Sequence, residues 1–296
     1  MGSTETKELP EFDLLWDYNK PAETEVKFLE LLTLAKSCNN LSYYLQLLTQ
    51  IARTQSLQAK FTEAHKILDE VESSLETTPI KLVEIRYLLE RGRTFNSAKQ
   101  AEKARPLFIK AWESALESAE ENYAIDAAHM MGIITSSEEQ LIWNEKAISL
   151  ARKSENPKAK KWLGSLNNNV AWTYHDKKEY QKALEYFTEN VQWHEERKTG
   201  QGLIIAKWSV ARTLRSLNKI DDALEIHLNL LKEIEEKKLE QDGYIFEELG
   251  ECYLLKNENS EAKKYFASAY KLLSQDIWLK QDEPDRLERL NKLGSN

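Results

Sequence analysis

The chain has little cysteine, glycine or proline, and no long apolar run. Two cysteines, Cys38 and Cys252, stand far apart in 296 residues. That excludes a disulfide-stapled secreted scaffold and fits a reducing, cytoplasmic setting. Nine glycines and six prolines exclude collagen-like and low-complexity classes, and neither a phosphate-binding loop nor a dinucleotide fingerprint occurs. No stretch approaches the roughly 18 apolar residues of a membrane span. Met1-Gly2-Ser3-Thr4-Glu5-Thr6-Lys7 lacks the apolar core of a signal peptide. Gly2 and Thr6 fit the loose myristoylation pattern, as an ordinary polar tail also would. A basic excess is missing as well. With 41 Lys and Arg against 49 Asp and Glu, the net charge of −8 argues against nucleic acid or an anionic membrane as a general partner. Among five histidines, His194-Glu195-Glu196 lacks the second His of a metalloprotease helix, and no metal or cofactor is expected.

What the chain does have is a recurring word. Phe246, Leu249, Gly250 and Tyr253 are followed by Ala262, Phe266 and Ala269. Leu88, Arg91, Gly92 and Phe95 precede Ala104, Phe108 and Ala111 in the same frame. Asn167, Val170, Ala171 and Tyr174 precede Ala183 and Phe187. Weaker copies run through Leu48, Ile51, Ala52, Ala64 and Leu68, and through Val210, Ala211, Leu214, Ala223 and His227. A small residue on one helix lets the next helix approach, and aromatic side chains fill the wedge between them.

This word resembles the tetratricopeptide repeat, and the resemblance covers about residues 40–275. The residues opening each second helix, Ala64, Ala104, Gln140, Ala183, Ala223 and Ala262, are 36 to 43 apart. The units are therefore longer than the common 34-residue repeat. They are similar to the long-repeat branch that includes peptide-sensing bacterial regulators and motor-protein light chains. The fold implied is an all-α right-handed superhelix of about six helix–turn–helix repeats with terminal capping helices. Residues 1–18 are expected as a partly disordered tail and 19–296 as one solenoid domain. Pro21 should open the N-terminal capping helix, with Val26, Leu29, Leu32 and Thr33 at helical spacing. A C-terminal cap should bury Leu287 and Leu290, with Arg286 and Arg289 elsewhere. The third repeat is degenerate, because Gln140 replaces the usual Ala and Asn144 the usual aromatic.

The resemblance implies that first helices line a concave groove. Taken at i, i+3, i+7 and i+10, their remaining stripe supplies Arg53, Arg86, Arg93, Asn96, Asn122, His129, Asn168, Trp172, His175, Trp208, Arg212 and Arg215. It also includes Thr49, Leu89, Ile125 and Gly132. Repeats one to five show five arginines and no carboxylate on this stripe, whereas the sixth reverses sign with Glu247 and Glu251. Arginine forks suit carboxylates, Asn amides suit peptide backbone, and Trp172 with Trp208 could clamp an apolar side chain. The family's carboxylate clamp for chaperone tails needs lysines where Thr49, Leu89 and Asn168 stand, so it is not reproduced. The expected function is non-enzymatic binding of an extended acidic peptide or partner tail in the groove. The alternatives are an architectural adaptor acting through its convex face or ends, and an enzyme with a site near His129, Trp172 and His175. The oligomeric state is left open.

Overall fold

The structure is a computed structural model that describes residues 9–295. The myristoylation pattern and the first eight residues of the expected tail lie outside the described residues. Among those described there are fifteen α-helices, one short 3-10 turn and no strand. The fold is all-α and tetratricopeptide-like. Two compact units divide within α8, at Met1–Trp162 and Leu163–Asn296.

The first unit holds the 3-10 turn Phe12–Leu15 and then α1 (Pro21–Ser37). Three hairpins follow: α2 (Leu41–Leu57) with α3 (Phe61–Thr77), α4 (Lys81–Ser97) with α5 (Ala101–Glu117), and α6 (Glu121–Ile134) with α7 (Ser137–Lys153). Helix α8 (Pro157–Asp176) crosses the division and leads to α9 (Tyr180–Arg197). The second unit continues with α10 (Gly200–Ser216), α11 (Ile220–Glu236), α12 (Gly243–Leu255) and α13 (Asn259–Leu273). It ends with α14 (Ile277–Asp282) and α15 (Pro284–Ser295).

The long repeat has a simple local origin. Five of the first six helices have 17 residues, and a three-residue joint separates most neighbours. Most of these joints hold one left-handed residue: Asn39, Ala59, Lys99, Ala119, Lys178, Asn218 and Asn257 have φ between 52° and 62°, whereas the joints after α3, α7 and α13 hold none. The left-handed residue's amide and the next one fold back on the last turn. Ala59 N–H donates to the Ser56 carbonyl at 3.1 Å and Lys60 N–H to the Gln55 carbonyl at 2.9 Å. This satisfies carbonyls that the helix end would leave unpaired. The second residue after the left-handed one begins the next helix. Seventeen helical residues and three joint residues give a twenty-residue step, and two steps give the repeat.

The small-residue contacts lie where the sequence frame puts them. A Cβ on Gly92 would meet Phe108 at 2.5 Å, and one on Gly250 would meet Phe266 at 2.8 Å. Ala171 and Ala211 are fully buried. The third repeat keeps the frame with a different filling. Helix α6 is one turn short, its joint has no left-handed residue, and Gly132 faces the Asn144 amide. Asn144 is 1% exposed, and neither amide atom has a hydrogen-bond partner. Gly132 is thus the close-approach residue of this hairpin and not a groove residue.

Three further expectations change. Residues 11–18 are not a loose tail. Phe12 is buried edge-on against Phe28 and Tyr43, with centroids at 6.3 and 5.0 Å. Because Trp16 also meets Phe28, helix α1 turns Thr24, Phe28 and Ala35 inward and leaves Val26 and Leu29 exposed. At the far end Leu287 and Leu290 are buried as expected. Arg286 and Arg289, however, face the repeats. They pair with Glu247 and Glu251 and neutralise the acidic sixth repeat.

Candidate functional site

In the first unit, α2, α4 and α6 present one polar face, and its arginines are paired. Arg53 lies 3.7 Å from Glu90, whose other oxygen accepts from Arg93 at 2.7 Å. Arg93 also bonds Asp126 of the next first helix. Gln50 joins this chain by donating to Glu90 at 3.5 Å and accepting the Trp16 indole N–H at 3.0 Å. Arg86 grips Asp13 through two bonds of 3.0 and 2.7 Å and donates to the Tyr123 hydroxyl at 2.8 Å. Burial alone would lower its pKa, but the Asp13 carboxylate holds it above the ordinary value. Asn122 accepts the Trp162 indole N–H at 3.0 Å, and His129 packs on the same ring at 5.2 Å. Burial pushes the His129 pKa down. Asn96 is half-buried near the end of α4.

In the second unit the face belongs to α8, α10 and α12. Trp172 and Trp208 tilt together with centroids 5.9 Å apart, and the Arg212 guanidinium lies 5.9 and 5.8 Å from their rings. Glu248 binds both Arg212 and Arg215, the latter at 2.6 and 2.9 Å. Its side chain is 2% exposed. Burial would raise its pKa, but Arg215 and Arg212 outweigh that and hold it below the usual carboxylate range. His175 lies 3.0 Å from the Ser216 hydroxyl and 5.1 Å from Trp172. Its pKa is lowered by burial and then by Arg212. Asn168 is half-buried on the same helix. The Trp208 indole N–H donates to the Tyr244 carbonyl at 3.3 Å.

The sequence stripe therefore found the arginines and tryptophans but missed their partners. Gln50, Glu90, Asp126 and Glu248 stand outside the i, i+3, i+7, i+10 selection. A helix face is wider than that stripe and includes i+4 positions. Gln50 and Glu90 share one register forty residues apart, a signal already present in the sequence. The same stripe included Thr49, Leu89 and Ile125, which are fully buried or nearly so in helix packing. The expectation of arginines without carboxylates is corrected. In the first unit Arg53, Arg86 and Arg93 face two carboxylates from the repeats, Glu90 and Asp126. In the second, Arg212 and Arg215 share one. Asp13 brings the first face to three carboxylates against three arginines, and α12 adds Glu247 and Glu251, which Arg286 and Arg289 meet.

Elsewhere, an apolar concavity of about 280 Å³ lies between α9, α10 and α11, lined by Val191, Val210, Ile226 and Leu230. Cys38 and Cys252 are free thiols, and burial pushes Cys252 up to about 12. Among the described residues no group of three or more His, Cys, Asp or Glu could hold a metal ion. No described helix is long and apolar enough to cross a membrane.

No protein-family model matches the chain, and no curated protein matches it in sequence. Solved structures do match it. The apo form of RapI superposes with a TM-score of 0.74 at 14% identity, over 92% of this chain and 77% of that one. A STAND signal-transduction ATPase with a tetratricopeptide repeat sensor, from Pyrococcus horikoshii, gives 0.73 at 14% identity, over 94% of this chain but 44% of that one. Aspartyl phosphate phosphatase F from Bacillus subtilis gives 0.61 at 12% identity, over 100% and 80%. At such identities the likeness speaks to fold, and it agrees with the joints and small-residue contacts above. The chain is a tetratricopeptide-like repeat protein.

Proposed function

We propose that the chain is a non-catalytic protein-interaction module whose first-helix faces bind an extended peptide or partner tail, with a preference for acidic sequences. The observation that carries this reading is the contrast between buried and half-buried aromatics. Phe108, Phe187 and Phe266 are fully buried between helices. Trp172, His175, Trp208 and Tyr244 remain partly accessible on one face, beside an arginine that is 30% exposed. Aromatic rings and arginine at a half-open surface are the usual anchors of protein recognition. The arginines clustered on each face support acidic preference, although Asp13, Glu90, Asp126 and Glu248 make it weaker than five free arginines would. The Asn side chains at 96, 122 and 168 would serve peptide backbone, except that Asn122 already holds Trp162.

The adaptor alternative draws on the concavity between α9, α10 and α11, whose charged lining is Lys207 and Glu233, 3.5 Å apart. Acidic and basic peptide libraries of equal length, each with an aromatic anchor, separate these readings. The groove reading expects acidic peptides to bind more tightly and to weaken with salt. Trp208→Ala should weaken them by about ten-fold, consistent with loss of an aromatic anchor. Binding that is indifferent to Trp208 and to peptide charge would overturn it.

A further inference from the structure

We infer that the face of α2, α4 and α6 in the first unit is a receptor site for an acidic–aromatic peptide, and that residues 10–18 occupy it as a built-in competitor displaced by a partner segment of the same chemistry. This rests on the peptide-binding reading and names the ligand class for one face.

Arg86 is the reason. Arg53 and Arg93 share Glu90, Arg212 and Arg215 share Glu248, and Arg286 and Arg289 use Glu247 and Glu251. All of those carboxylates belong to repeat helices. Arg86 takes its ion-pair carboxylate from Asp13, in the turn before the first helix. With the arm seated the Arg86 side chain is 6% exposed, and without Asp13 its hydrogen-bonding partner would be the Tyr123 hydroxyl, with no carboxylate in contact. Such a site demands an anion, because an unpaired buried charge is strongly unfavourable. Even with Asp13 in place, Arg86 Nε has no hydrogen-bond partner. A ligand that reaches it would make a contact the arm does not.

The arm itself shows the chemistry required. Glu11-Phe12-Asp13-Leu14-Leu15-Trp16-Asp17 is acidic, with aromatic residues either side of Asp13-Leu14-Leu15. Phe12 seats against Phe28 and Tyr43 and lies 5.1 Å from the Arg86 guanidinium. Trp16 donates to Gln50, and the Pro10 carbonyl accepts from the Tyr43 hydroxyl at 2.8 Å. Glu11 pairs with Lys158 at 3.0 Å. These contacts lay the arm, with its 3-10 turn at Phe12–Leu15, against α1, α2, α4 and the start of α8.

The arm also carries marks of exchange. Asp13 is 37% exposed, whereas Glu90 and Glu248 are 7% and 2%. Leu14 and Tyr18 are 77% and 63% exposed. Attached to α1 through Asn19 and Lys20, the arm competes at a high effective concentration. The arm of a second copy would make no better contacts and would lose that advantage. A partner segment that also engages Arg86 Nε would gain over it, so the occupant is a partner protein's acidic–aromatic segment.

The test uses a fluorescent peptide of residues 9–19 and the full chain. Anisotropy is measured on the unsubstituted chain and on an Asp13→Ala/Trp16→Ala variant whose arm is weakened. The variant should bind the peptide about ten-fold or more tightly than the unsubstituted chain, since the tethered competitor is gone. Adding Arg86→Gln to the variant should cost about ten-fold or more, as loss of a bidentate charged pair does. If that triple variant fails to fold, Gln50→Leu in the same background should weaken the Trp16 peptide but not one carrying Phe there. Equal binding to both chains, or binding indifferent to Arg86 or Gln50, overturns the inference. So does a dimer of the unsubstituted chain abolished by Arg86→Gln, because the arm would then serve a second copy. Library binding at Trp208 is measured separately, so the broader reading can stand when this one fails.

Discussion

Hairpin α4–α5 closes Gly92 on Phe108, whereas α10–α11 puts Ala211 and His227 in the same two places. On their outer faces Arg93 and Arg212 also share a position. Arg93 is held by two carboxylates, Glu90 and Asp126. Arg212 shares the single Glu248 with Arg215 and rests against two tryptophans. The joints match as well, with a left-handed Lys99 in one and a left-handed Asn218 in the other. The comparison teaches that one backbone frame tolerates different fillings. The later hairpin accepts polar compromise inside and leaves aromatic surface outside.

The largest expected effect tests the acidic hub. Glu248→Leu would leave Arg212 and Arg215 without a carboxylate. Both are partly exposed and can rehydrate, so the cost should be about 2–3 kcal/mol rather than that of a fully buried pair. Glu90→Leu should cost less, about 1–2 kcal/mol, because Arg93 keeps Asp126. Urea denaturation of the two variants gives the order, and a larger loss at Glu90 would break the comparison.

Next comes the close contact. Gly92→Ala should cost about 1–3 kcal/mol, since its Cβ would fall 2.5 Å from Phe108. An unchanged thermal midpoint would mean that the Phe108 ring yields to the added methyl without cost.

His227 offers the opposite sign. It is 0% exposed, both ring nitrogens lack partners, and burial lowers its pKa from 6.5 to about 4. His227→Phe should stabilise by about 1–2 kcal/mol at neutral pH, because it removes unpaired polar atoms from a slot that elsewhere holds Phe. The pH dependence is more specific. Between pH 6.5 and about 4 the unfolded chain protonates this histidine while the folded one does not. Stability therefore falls as pH drops through that window, by up to about 3 kcal/mol from this group. The Phe variant should lose that component, measured as the difference between the two chains' stabilities at pH 7 and pH 4.5. A constant difference would show that His227 is hydrated or partnered.

The smallest effect lies in the joints. Lys99→Gly should stabilise by about 0.5–1 kcal/mol, because a left-handed lysine carries strain that glycine does not. Asn218→Gly should change stability by only a few tenths of a kcal/mol, since Asn adopts that conformation more readily. Equal gains at both would mean that joint strain does not depend on the side chain.

The sequence by itself determined the helices, their pairing and the repeat frame. These follow from local periodicity and from residue size at a close contact, which recur in five of the six repeats and so reinforce one another, whereas in the third the stripe misplaces Gly132 in the groove. Gly92, Ala171, Ala211 and Gly250 are placed by the sequence frame alone, and so is the polar filling of Asn144. The candidate face was legible only in part. Arg53, Arg93, Trp172, Trp208 and Arg212 were found by their stripe, but their charge state was not, because it depends on which acids neighbouring helices bring within about 3 Å. Glu90 and Arg93 are three residues apart and could have been paired from sequence. Glu248 lies 36 residues beyond Arg212, Glu247 39 before Arg286, and Asp13 73 before Arg86. Such pairings are set by rotation and offset between packed helices, to which a one-dimensional period is blind. The acidic arm before Pro21 carried no repeat at all. Only tertiary packing showed that Phe12, Asp13 and Trp16 lie over the first helices, because an aromatic ring and a carboxylate find their places by complementarity to a surface that several helices build together.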